Sequence, residues 1–126
     1  MIRPSFLDPA LIMRTALAGT LLQVAASALR HLFPGMAGIG SLFAHMMLAA
    51  TAGYLYGLIL GKGYLRGAAG GAISGGLSLV PAFLLSIVLG DSDGLGAAVA
   101  TLIAVLTGAV GGAFGQMGAI LRRLGY

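Results

Sequence analysis

The chain has 126 residues, 59% of them hydrophobic and 8% charged, with a formal net charge of +4. A soluble domain carries about 25% charged residues, so the composition excludes an ordinary water-soluble fold and points to one all-α integral membrane domain over residues 1–126. The lack of Cys excludes disulfides and thiolate metal sites, and the basic residues fall in short loops and at chain ends, where they set membrane orientation rather than bind nucleic acid.

In chain order, Met1 to Ala28 has the outline of a secretory signal: Arg3 and Arg14, an apolar run, then Ala26-Ser27-Ala28. Asp8 and Arg14 interrupt that outline, and the stretch is read instead as a retained first span. Asp8-Pro9 is a helix start, with Asp able to cap free amides and Pro tolerated in the first turn. The spacing predicts a first helix over about 9–32, about 36 Å long and sufficient to span. Arg14 lies about 7 Å from its start and can snorkel to the headgroups. Thr20, Gln23 and Ser27 share one face; they are read as interhelical bonding groups, with a polar path as the alternative.

Phe33-Pro34-Gly35 breaks the helix, and the link to Gly40 is short. A second helix is predicted over about 39–60. It holds His45, Tyr54 and Tyr56 and ends in Gly53-x3-Gly57-x3-Gly61. The basic loop Gly61-Lys62-Gly63-Tyr64-Leu65-Arg66 follows, with Tyr64 as an interface tyrosine. The third helix, about 67–89, is small in its first half (Gly67, Gly71, Gly75) and bulky in its second. Pro81 stands at the change and is expected to bend it; local unwinding there is the sharper alternative. The turn Gly90-Asp91-Ser92-Asp93-Gly94 is polar.

The fourth helix, about 95–121, carries neither charge nor proline. Small residues recur every fourth position at Ala100, Ala104, Gly108 and Gly112, with a second row at Gly111, Gly115 and Ala119. Each interior Gly costs about 1 kcal/mol relative to Ala in a water-exposed helix. In a bilayer the helix satisfies its own backbone, and rows of small residues let two backbones approach closely. Four transmembrane helices packed through such glycine-zipper faces are therefore expected. Arg3, Arg14, Lys62, Arg66, Arg122 and Arg123 then fall on one side and Arg30 on the other. That asymmetry predicts an inner (plasma) membrane protein with both termini cytoplasmic.

No acid lies within a predicted span, which weakens proton- or cation-coupled chemistry. No catalytic residue is assigned and the chain is read as a non-enzyme. His31 and His45 are the metal-capable side chains; two histidines alone do not make a zinc site, and no metal or cofactor is assigned. A haem or chlorin pigment on His31/His45 is kept as an alternative, and Gln23 and Gln116 as possible lining of a ligand site or polar path. The Gly-rich run at Gly70–Gly76 lacks the Gly-Lys-Ser/Thr ending of a phosphate loop and is read as a packing face. The function expected is that of a non-catalytic structural or accessory subunit, or an assembly factor, of a larger membrane complex. Its partners are membrane lipids and other membrane subunits, of its own or another kind. A small oligomeric channel or transporter is the alternative from a different class.

Overall fold

The computed structural model describes residues 5–36, 38–90 and 93–126. Arg3, Pro4, Asp91 and Ser92, named above, lie outside them. Asp8 accepts a hydrogen bond from the Leu11 amide at 3.0 Å and Pro9 occupies the first turn, so α1 (Pro9–Leu32) begins where its free amides have a partner. It ends at Phe33, before a single 3-10 turn over Pro34–Met36. The second helix, α2 (Ile39–Leu60), stops at Gly61, whose left-handed conformation (φ 59, ψ 26) favours glycine. Next comes α3 (Tyr64–Val88). Finally α4 (Gly94–Arg123) starts with Asp93 accepting from the Gly96 amide at 2.8 Å.

All four helices are long and apolar enough to cross a membrane. Two boundaries differ from the sequence reading by more than one residue. The third helix starts at Tyr64 rather than about Gly67, because the chain turns at Gly63 (φ 111) and the Gly67 amide already reaches the Gly63 carbonyl at 2.9 Å. Tyr64, Leu65 and Arg66 are thus a helical first turn and not a loop. The fourth runs two residues further, through Arg122 and Arg123. Pro81 sits on an exposed face and α3 is helical on both sides of it, so the alternative of local unwinding there is not seen.

Helices α2, α3 and α4 contact one another, and α1 packs on α2 and α3. Register follows from the contacts. Gly53 and Gly57 of α2 face Gly108 and Gly112 of α4, so these helices run parallel. Gly71 faces Gly108 while Gly67 faces Gly112, so α3 and α4 run antiparallel. Thr15 meets Ser74 and Arg30 meets Ser86, so α1 and α3 run parallel. Outward positions are large and apolar, among them Leu21, Leu102, Leu106 and Phe114. The interior is built from Ala, Gly, Ser and a few larger groups, with Leu79 and Tyr56 fully buried. This inversion of a soluble core suits a lipid solvent, which offers no hydrophobic drive to bury leucine.

Candidate functional site

Two seams meet along α3. The first joins α4 to α2 and α3 through backbone. A Cβ on Gly71 would stand 2.5 Å from the Gly108 carbonyl oxygen, and one on Gly75 would stand 2.8 Å from the Gly108 Cα. A Cβ on Gly112 would stand 2.7 Å from the Gly67 carbonyl carbon, and one on Gly67 2.7 Å from the Gly112 carbonyl oxygen. On the α2 side, a Cβ on Gly53 would come within 2.8 Å of the Gly108 carbonyl carbon, and one on Gly57 within 2.9 Å of that of Gly112. Gly111 and Gly115 meet α2 at Ala50 and Leu58, and Ala104 is buried beside Gly75. Gly61 has a second requirement besides space, its positive φ at the end of α2.

The second seam joins α1 to α3 and α2 through side chains. The buried face of α1 is Ile12, Thr15, Ala16, Gly19, Gln23 and Ser27. Opposite lie Ser74, Ser78, Ala82 and Ser86 of α3, also buried. The hydroxyls of Thr15 and Ser74 are 2.8 Å apart. One turn on, a Cβ on Gly19 would sit 2.7 Å from Ser78 Cβ and 2.8 Å from Ala52 Cβ, so α1 lies close to both neighbours there. Next comes Gln23, which is fully buried. Its Nε2 donates to the His45 carbonyl at 2.9 Å, and its Oε1 faces His45 Nδ1. A carbonyl can only accept, so the amide orientation is fixed and Nδ1 carries the ring hydrogen, leaving Nε2 as the acceptor nitrogen. The His45 ring is buried and lies 6.2 Å from that of Phe83. At the far end, the Arg30 guanidinium donates to Ser86 Oγ at 3.0 Å.

Gln116 does for α4 what Gln23 does for α1. Its Nε2 donates to the Gly57 carbonyl and its Oε1 accepts from the Gly63 amide at 2.7 Å. Tyr56 is fully buried against Gly70, and its hydroxyl accepts from the Asp8 amide at 3.3 Å. Tyr54 is half-exposed on the outer side.

The structure separates the two histidines by environment: His31 is exposed in the last turn of α1, whereas His45 is buried between helices. No group of three or more His, Asp or Glu side chains that would suit a metal occurs among the described residues. Thr20, grouped above with Gln23 and Ser27, is half-buried. The reading missed Thr15 and Ser86, and took Ser74 and Ser78 only as small residues of the packing half of α3. Their signal is the same period of four that marked the glycines: Thr15-x3-Gly19-x3-Gln23-x3-Ser27 against Gly70-x3-Ser74-x3-Ser78-x3-Ala82-x3-Ser86.

The fold and these seams define a class: an all-helical, multi-pass membrane protein with four candidate spans. No protein-family model, no curated protein and no solved structure matches the chain.

Proposed function

We propose that the chain is a non-catalytic structural or accessory subunit, or an assembly factor, of a larger membrane complex. It is held together by glycine-zipper faces, lies in the inner membrane and has both termini in the cytoplasm. One observation carries this reading. The amides left open above as a polar path, Gln23 and Gln116, each engage neighbouring helices at both ends. Groups already bonded to their own protein act as glue between helices and leave the outer surface as the working part. The cytoplasmic orientation is supported by Lys62, Arg66, Arg122 and Arg123 gathering at the end of the bundle where α1 begins, with Arg30 at the other.

Purification in mild detergent tests the proposal. Stable recovery with a defined larger membrane complex is expected. A homo-oligomer that conducts ions in liposomes would overturn it in favour of the channel or transporter alternative.

A second reading, a haem or chlorin held by His45, has the ring tautomer in its favour: a ligating histidine commonly donates from its other nitrogen to a fixed acceptor. Gln23 supplies such an acceptor. Against it, His45 is packed inside the bundle beside Phe83, so a macrocycle on Nε2 requires the helices to part. A visible absorption band lost in His45→Ala would favour this reading.

A further inference from the structure

The end of the bundle where α1 begins, α2 ends and α3 begins carries a basic crevice. Two adjoining hollows of about 310 Å³ and about 300 Å³ share Asp8, Leu60 and Lys62. Arg66 lines the first and Arg14 the second. The cations differ in how they are engaged. Arg122 donates to the Leu58 carbonyl at 3.1 Å and Arg123 to the Gly61 carbonyl at 2.7 Å. Arg66 lies over the Phe6 ring at 5.3 Å. Arg14 and Lys62 have no hydrogen bond or ion pair among the described residues.

Arg14 stands about 7 Å along α1 from its first residue. That places it near the boundary between headgroups and hydrocarbon, where a lone guanidinium needs a counter-charge. Asp8 is the acid in the crevice, and one of its oxygens caps the Leu11 amide. Leu11 and Ile59 give the second hollow an apolar wall directly beside Arg14 and Lys62. Two cations next to an apolar wall at the membrane boundary complement an amphiphile with an anionic phosphate head and an acyl tail.

We propose that this crevice binds the headgroup of an anionic phospholipid, with Arg14 and Lys62 on the phosphate and Leu11 and Ile59 along the start of an acyl chain. The source is the bilayer and not free phosphate, because Ile59, in the wall that would meet the tail, stands exposed on the outside of α2. The proposal does not depend on which complex the protein joins.

The test places the full chain in phosphatidylcholine nanodiscs with or without phosphatidylglycerol and counts retained lipid by native mass spectrometry. Wild type is expected to retain phosphatidylglycerol in preference to phosphatidylcholine. At about a fivefold effect for each basic residue near an anionic surface, the double variant Arg14→Gln/Lys62→Gln should lower that preference about 30-fold. Arg30→Gln removes one charge at the opposite end of the bundle, away from the crevice, and should lower the preference less than Lys62→Gln does. Equal losses in these two single variants would overturn the proposal in favour of general surface attraction. Equal protection of wild type by inorganic phosphate, read as a shift in melting temperature, would overturn the role of the apolar wall. If the double variant fails to fold by circular dichroism, Lys62→Gln alone decides: a loss of about fivefold supports the site, and no change overturns it.

Discussion

Along α4 the atoms that meet neighbouring helices are backbone carbonyls and α-carbons, brought close at Gly108 and Gly112. Along α1 they are hydroxyls and an amide: Thr15 on Ser74, Gln23 on His45. The two helices pack on the same pair, α2 and α3, from different sides. Close backbone approach gains van der Waals contact over a whole face and fails at once if a side chain is inserted. Side-chain bonds between membrane helices are worth about 0.6 kcal/mol each on average, so they can be removed singly at small cost. The comparison predicts that α4 is sensitive to size and α1 to chemistry.

The largest effect is expected from Gly112→Leu or Gly108→Leu. The first new side-chain atom at either position already meets backbone of α3, and overpacking of this kind costs about 3 kcal/mol or more when the obstacle cannot rotate away. Loss of the folded form in a detergent-unfolding titration is the readout. Wild-type stability in both variants would remove the contrast, and with it the proposed role of the glycine faces.

A middle effect is expected from Gln23→Leu, which deletes both bonds to His45 while roughly keeping volume. A loss of about 1–2 kcal/mol is anticipated in the same titration. Addition of His45→Ala should cost less in that background than in wild type, because the ring's bond to Gln23 is already gone; strict additivity would show that the two side chains do not act together. Thr15→Val should cost about 0.6 kcal/mol, and a loss as large as that of Gly112→Leu would erase the ranking. The smallest effect is expected at Gly35→Ala. A Cβ there meets nothing within 4 Å, so stability should stay within about 0.5 kcal/mol of wild type. Gly35→Ala set against Gly112→Leu separates a requirement for space from the mere presence of glycine.

The helices were legible in the sequence because their ends carry chemistry. Asp8-Pro9, Phe33-Pro34-Gly35 and Gly61 mark boundaries that the structure repeats within a residue or two. Tyr64 to Arg66 was misread as loop because a basic, tyrosine-bearing stretch resembles an interface segment, while the real break is the positive φ at Gly63. The period-four glycines stood out by composition. Thr15, Ser74 and Ser86 did not, since a hydroxyl in a membrane helix can bond its own preceding turn, as Thr51 does to the Met47 carbonyl at 2.8 Å. Thr15 makes both kinds of bond, to the Leu11 carbonyl at 2.9 Å and to Ser74 at 2.8 Å, and only the pairing of two distant helices reveals the second.

The contacts made by the last turns of α4 bear on how the chain is made. Helix α2 ends with carbonyls that its own helix cannot satisfy. The Leu58 and Gly61 carbonyls are met by Arg122 and Arg123, and the turn into α3 is held at Gly63 by Gln116. All three partners are synthesised more than fifty residues later. Until α4 has been made, the α2–α3 turn therefore lacks these three bonds. A ribosome-arrested chain ending before Gln116 should expose the Lys62 turn to protease, and a chain released after Arg123 should protect it.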